Sequence, residues 1–307
     1  GMLQVHGPQH QAALGETLLE GILGDVDRID RAIETLSAED LGMAEPDGSS
    51  SGSPDQGSNS LTALSDEFSA SNLSGWIDLF PTLHSTLSLT QVSGQLSLAP
   101  VAVNQTHWYS DQHGPMIYKA VTGNFVVETQ LRVGRQSDIA QAPRGQFSAG
   151  GFVLRDPQSS TPGRERWVMY NVGYQSGSVA REAKSTRAGS PDSLSTLYLT
   201  DSNNVLAGKL RVCRLGTVFH FFHQLSGEAS FVEEAYGSGT AVMGNGAGEA
   251  TPGVVVGGVI RFDRPDLPAT LQVGLIAGNW AAPYETRVEF DHARFASAAS
   301  LSDCTRP

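Results

Sequence analysis

From residue 61 onward the chain is a long succession of short strand-like runs with no helical stretch between them. Gln95–Leu98 alternates apolar with polar residues, and Asn124–Val133 is a longer run of the same kind. Further runs follow at 147–155, 166–172, 194–199, 209–214, 217–223, 231–234, 254–262, 270–277 and 286–295. Gly, Pro, Asn and Asp separate them, the residues that set turns and interrupt sheets. Leu215-Gly216, between two such runs, predicts a hairpin. Many strands without crossover helices can bury their apolar faces only as a sandwich or a barrel. The charged fraction of 17% and the 34 glycines weigh against helix bundles and coiled coils.

Two different sections precede the strands. Within residues 1–45, Leu14, Leu18, Ile22, Val26, Ile29, Ile33 and Leu36 recur at three- and four-residue spacing among acidic and Arg residues. That spacing predicts an amphipathic helix, weakened in its first half by Gly15, Gly21 and Gly24. Residues 46–60 are almost purely Gly, Ser, Pro, Asp, Asn and Gln, the composition of a flexible linker. A helix on such a linker must dock its apolar stripe on the main domain, associate with a second copy, or bind a partner. The β domain is expected over 61–297, with a tail at 298–307. Within it, Gly173–Ser193 and Gly237–Pro252 read as long loops, the first polar and the second Gly-rich.

A net charge of −12 opposes nonspecific binding to nucleic acid or to an anionic membrane. No apolar run is long enough to span a bilayer as a helix. Leu3–Gln11 lacks the basic and apolar regions of a secretory signal. Two cysteines are too few for a disulfide framework. Cys213 and Cys304 can pair, but the strand setting of Cys213 favours a buried free thiol.

The runs also carry a recognisable order. Leu64–Phe68 followed by Leu73–Trp76, Gly114–Phe125, Ala149–Asp156, Leu210–Phe222, Leu271–Ala277 and Val288–Asp291 resemble, in register, the strand motifs of bacterial concanavalin A-like lectin/glucanase domains. The resemblance covers the chain from about Leu61 to Phe295. It implies an antiparallel jelly-roll β-sandwich, all-β, here preceded by the helical segment. Relatives include sugar-binding modules, laminin G-like adhesion modules and glucanases, mostly exported, so it implies an extracellular or cell-envelope setting. The chain departs from the motifs at Ser226–Phe231, which lacks the family's Trp, and at 237–252.

The glucanase members of such a family need paired carboxylates on one strand face, as in E-x-D-x-x-E. The nearest match here, Glu289-Phe290-Asp291-His292-Ala293-Arg294, ends in Arg and reads as a fold-closing strand. No G-x-S-x-G nucleophile motif and no phosphate-cradling loop occur. His220 and His223, three apart on a strand, face opposite sides and cannot share one metal ion. Asp66 with Asp291 could tie the first strand to the last through a structural calcium. Sugar sites need aromatic faces and planar polar groups. Trp108 and Tyr109, in a polar stretch that reads as an exposed loop, and Trp280 and Tyr284, after a strand end, are the candidate stacking platforms. Arg155, Asn171 and Asn279 are the candidate polar partners, and Trp76 and Trp167 read as structural. The reading is a noncatalytic carbohydrate-binding module. Its alternatives are an interaction module working through the N-terminal helix, and a glycosidase or lyase with an atypical site.

Overall fold

Period-two alternation sorts the side chains of residues 61 onward onto two sheets. The computed structural model describes residues 61–159, 163–175, 177–189, 192–247 and 257–306. The helix expected within 1–45 and the linker at 46–60 lie outside them. The strands are β1 (Ile77–Asp78), β2 (His84–Ser88), β3 (Leu96–Pro100), β4 (Met116–Thr122), β5 (Phe125–Arg135), β6 (Ser148–Arg155), β7 (Trp167–Tyr174) and β8 (Val179–Arg187). They continue as β9 (Leu194–Asp201), β10 (Ala207–Leu215), β11 (Val218–Leu225), β12 (Val232–Glu233), β13 (Thr240–Met243), β14 (Arg261–Asp263), β15 (Thr270–Gly278) and β16 (Thr286–Ser297). Sheet I runs β1-β4-β15-β6-β7-β8-β9-β13, and sheet II runs β12-β11-β10-β5-β16-β3-β2, with β14 on β11. Neighbouring strands are antiparallel, as in β6–β7, β10–β11 and β5–β16. The fold is a two-sheet β-sandwich.

Alternate residues of both sheets meet in one core. Phe152, Leu154, Val168, Tyr170 and Val273 come from sheet I, and Phe125, Val127, Leu131, Phe221 and Phe290 from sheet II. The sheets approach closely at Gly150, where an added Cβ would lie 2.4 Å from the Val288 side chain. The intervening residues of sheet I, Val153, Trp167, Met169 and Ile276, point to its outer face, where a second apolar cluster includes Trp108 and Phe80. Strands β6 and β7 therefore bury both faces, which is why they are apolar almost throughout.

The hairpin expected at 209–223 forms between β10 and β11. Leu215 pairs with Val218, so its two loop residues are Gly216 and Thr217, one position later than Leu215-Gly216. Gly216 takes φ 62°, the value the first position of a II′ turn requires.

Two expectations are corrected. Gly173–Ser193 is not a long polar loop, because β8 occupies most of it and pairs with β7 and β9. Arg181, Glu182 and Lys184 are buried, each with an ion-pair partner. Arg181 forms a two-nitrogen ion pair with Glu234 at 2.8 and 3.1 Å. The Gly237–Pro252 segment likewise contains β13, paired with β9.

Cys213 and Cys304 form a disulfide, against the free-thiol reading. It fastens the short helix Leu301–Thr305 to β10. Arg211 completes the attachment, donating to the carbonyls of Cys304 at 2.8 Å and Arg306 at 2.6 Å. Its guanidinium lies 3.6 Å from the Phe231 ring centroid and pairs with Glu128. The tail thus covers the outer-face cluster of Val126, Phe222 and Ala298.

Candidate functional site

The outer face of sheet I carries a polar row between β7 and β8. Asn171 stands opposite Glu182, and Met169 opposite Lys184. Asn171 Nδ2 donates to Glu182 Oε2 at 2.9 Å, and Gln175 Nε2 donates to Asn171 Oδ1 at 2.7 Å. Lys184 Nζ lies 2.6 Å from Glu182 Oε1 and donates to the Trp108 carbonyl at 2.9 Å. Glu182 is 2% exposed and Lys184 3%. An ion pair taken this far out of water costs several kcal/mol per charge in desolvation.

Aromatic side chains stand over this row. The segment before β4 folds back across sheet I and is pinned by Thr106 and Asn279, which exchange backbone hydrogen bonds at 2.9 and 2.8 Å. That bridge brings His107 and Tyr109 beside Trp280. The His107 and Trp280 rings meet edge to face at 4.0 Å between centroids. Tyr109 lies 5.7 Å and Phe147 6.4 Å from Trp280, both near perpendicular. Trp280 and Tyr109 are half-buried. Lys184 Nζ lies 5.6 Å from the Tyr109 ring.

Between rings and row lies a small pocket of about 20 Å³, lined by His107, Trp108, Phe147, Asn171, Glu182 and Lys184 among others. His107 is 6% exposed, and neither of its ring nitrogens has a hydrogen-bond partner among the described residues. Burial, and then the nearby Lys184 charge, lower its pKa to about 3. It is a neutral imidazole, with one donor and one acceptor.

The candidates named from sequence divide between this place and others. Tyr109 and Trp280 belong to the aromatic cluster, and Asn171 to the polar row. Tyr284 is half-buried further along the Trp280 loop. Trp108 does not occupy the exposed loop position expected of it. It is 2% exposed, edge-on to Trp167 at 5.8 Å and beside Phe80 at 6.0 Å. Of the polar residues around it, Gln105 and Gln112 are exposed, while Thr106, His107 and Ser110 are buried with its indole against the sheet. Arg155 is also buried, its guanidinium spent on Glu165 at 2.8 and 3.1 Å and on Gln272 at 2.8 Å. Asn279 Oδ1 accepts from the Thr286 amide at 3.1 Å. Glu182, Lys184 and His107 were not singled out, and the alternation of β8 is the one sequence signal for Glu182 and Lys184.

Asp66 accepts from the Trp76 indole at 2.9 Å and from the Phe68 amide at 2.8 Å, and its backbone bridges to Ala293. Asp291 lies 3.2 Å from His292 Nδ1. Among the described residues no group of three or more His, Cys, Asp or Glu is arranged to hold a metal ion. His220 pairs with Glu233 at 3.0 Å, while His223 lies 3.4 Å from both Glu228 and Glu234. No helix among the described residues is long and apolar enough to cross a membrane.

The sequence matches no protein-family model and no curated protein. Among solved structures, the chain is similar to a GH43 protein of Bacillus licheniformis at TM-score 0.48 and 12% identity, covering 76% of this chain and 39% of that one. It therefore spans about two fifths of that protein's length. The Lotus tetragonolobus seed lectin is similar at TM-score 0.42 and 12% identity, over 76% of this chain and 96% of that one. The carbohydrate-binding module CBM66 of Bacillus subtilis is similar at TM-score 0.40 and 13% identity, over 74% and 99%.

Proposed function

We propose that the protein is a noncatalytic carbohydrate-binding module of the concanavalin A-like kind, and that the outer face of sheet I holds its glycan. The observation that carries this reading is the pairing of two chemistries in one place. Trp280 and Tyr109 offer aromatic faces to the apolar side of a sugar ring. Asn171, Glu182 and Lys184 form a preorganised set of donors and acceptors beside them.

The state of the nearest glucanase-like carboxylates supports binding without cleavage. Glu289 is ion-paired with Arg287 at 2.9 Å. Arg294, where a second Glu would stand, is paired with Glu67 at 2.7 and 2.8 Å. The Cys213–Cys304 disulfide supports an oxidising compartment, in keeping with a cell-envelope or extracellular glycan.

The test is a screen of the purified protein on a broad glycan and polysaccharide panel, with calcium and with chelator. We expect specific retention, lost by roughly tenfold or more in Trp280→Ala and Tyr109→Ala, each removing a stacked ring. No retention by any glycan, or retention unchanged in both variants, overturns the reading. A dependence on calcium would bear on the Asp66 and Asp291 tie.

A further inference from the structure

The outer face of sheet II holds a groove of about 480 Å³, apart from the sheet I site. Strand pairing sets three polar rows side by side there. In the first, Arg211 lies opposite Glu128, and the C-terminal tail covers the row through Arg211. In the second, Lys209 stands between Gln130 and Gln224. In the third, Arg132 stands between Ala207 and Glu289. Ala207 is short among long neighbours, so the face is dented there and the longer side chains form the rim. The lining is largely polar, and no aromatic ring belongs to it among the described residues.

The charges of the groove are unequally committed. Its carboxylates have partners. Glu289 pairs with Arg287 at 2.9 Å, and Asp291 lies 3.2 Å from His292 Nδ1. Glu228 accepts from the Leu225 amide at 2.6 Å and lies 3.4 Å from His223. Its cations are less occupied. Arg132 is exposed and has neither a hydrogen bond nor an ion pair among the described residues. Lys209 Nζ lies 3.8 Å from Glu128, beyond hydrogen-bond range, and Arg211 already holds that carboxylate. Because Arg132 pairs with Ala207 and Lys209 with Gln130, the two cations are diagonal neighbours on adjacent strands. Such neighbours are about 7–8 Å apart, within joint reach of one anionic group.

We propose that this groove is a second carbohydrate site, which takes an acidic sugar unit with its carboxylate or sulfate between Arg132 and Lys209. Its sugar character rests on the carbohydrate reading, and its charge rests on the two cations. A guanidinium offers only donors, in a fork that matches a carboxylate or sulfate, and it repels an ammonium. Gln130 and Ser226, both exposed on the rim, serve the ring hydroxyls. The volume lies in the range of about 300–1,000 Å³ usual for small organic ligands, more than a bare inorganic anion fills. With no ring to stack on, binding here is electrostatic and sensitive to salt, unlike binding at Trp280.

The test passes the full chain over uronate, sulfated, neutral and amino-sugar oligosaccharides matched in backbone. At least one acidic member should bind about tenfold or more tighter than its neutral and amino counterparts. Arg132→Gln, at an exposed position, should weaken that binding by roughly tenfold, and Lys209→Gln should weaken it by roughly threefold. Raising salt from about 0.05 M to about 0.5 M should weaken it several-fold as screening shortens. Trp280→Ala should leave it unchanged, since that ring belongs to the other sheet. Either acid, uronate or sulfate, supports the site, and the preferred one names its ligand. Acidic ligands held equally by Arg132→Gln and Lys209→Gln, or lost in Trp280→Ala, overturn the groove. Neutral ligands retained with no acidic member preferred overturn the groove and leave the sheet I reading standing. Retention of no oligosaccharide overturns both.

Discussion

Trp108 and Trp280 belong to one network of rings but meet the solvent differently. Trp108 lies beneath the segment it comes from, against Trp167, Met169 and Ile276, while Trp280 is half-buried at the rim. Truncating a large buried aromatic costs about 3–5 kcal/mol, from lost burial and from the cavity left behind. Trp108→Ala should therefore lower stability by about 3–5 kcal/mol in urea unfolding. Trp280→Ala should cost about 1–2 kcal/mol while removing glycan retention. Equal losses from the two would mean that Trp280 is as structural as Trp108. Nothing in the local sequence separates them, since both sit among polar or small residues. The difference comes from the Thr106–Asn279 bridge, which turns one indole down and leaves the other at the edge.

At the scale of elements, β8 and the C-terminal helix show how far partners decide structure. Ala-Arg-Glu-Ala-Lys-Ser-Thr-Arg, from Ala180 to Arg187, reads as polar loop, yet it is an interior strand of sheet I. One face sends Arg181 to Glu234 and the other sends Glu182 and Lys184 to the candidate site. The helix Leu301–Thr305 is too short to hold itself and depends on its attachment to β10. The disulfide closes a separation of 91 residues. A loop that long gives up much unfolded-state entropy when cross-linked, on the order of 5 kcal/mol at most. Cys304→Ser should lower the urea midpoint by the equivalent of about 2–4 kcal/mol, and reducing agent should do the same to the native chain and nothing further to the variant. A midpoint indifferent to reductant would mean that the tail adds nothing to the sandwich.

Across the whole molecule, buried carboxylates set the response to acid. Burial pushes the Glu234 pKa up, but hydrogen bonds from His223 and Arg181, with Arg181's charge, more than offset this and leave it at about 2. Burial acts the same way on Glu128 and Glu233, and it is overcome by hydrogen bonds from His292 and Arg211 and from His220 and Arg261, respectively, so that both also fall to about 2. Folded values below the unfolded carboxylate value mean that the unfolded chain binds protons first as pH falls. The stabilisation is complete above about pH 4.5 and is lost progressively down to about pH 2. Urea midpoints should accordingly be flat near neutrality and drop through that window. Glu234→Gln leaves Arg181 buried without its counter-charge. It should cost roughly 3–5 kcal/mol at pH 7 and make the acid limb shallower. An unchanged acid limb would show that Glu234 is not among the groups that set it.

The sequence by itself determined the β architecture. Alternation has a period of two, breakers mark its limits, and both are local properties that need no knowledge of where the chain goes next. The strands at 124–133, 147–155 and 209–223 and the β10–β11 hairpin were legible for that reason. The aromatic residues Tyr109 and Trp280 were legible as a chemical type. Only the tertiary structure decided which polar groups are buried and which rings stay at the surface. A charge can be buried only where another part of the chain brings its partner. Glu234 lies 53 residues from Arg181, Trp108 lies 76 from Lys184, and Cys304 lies 91 from Cys213. Those distances are closed by the return of the chain across the sheets, which no short window of sequence contains.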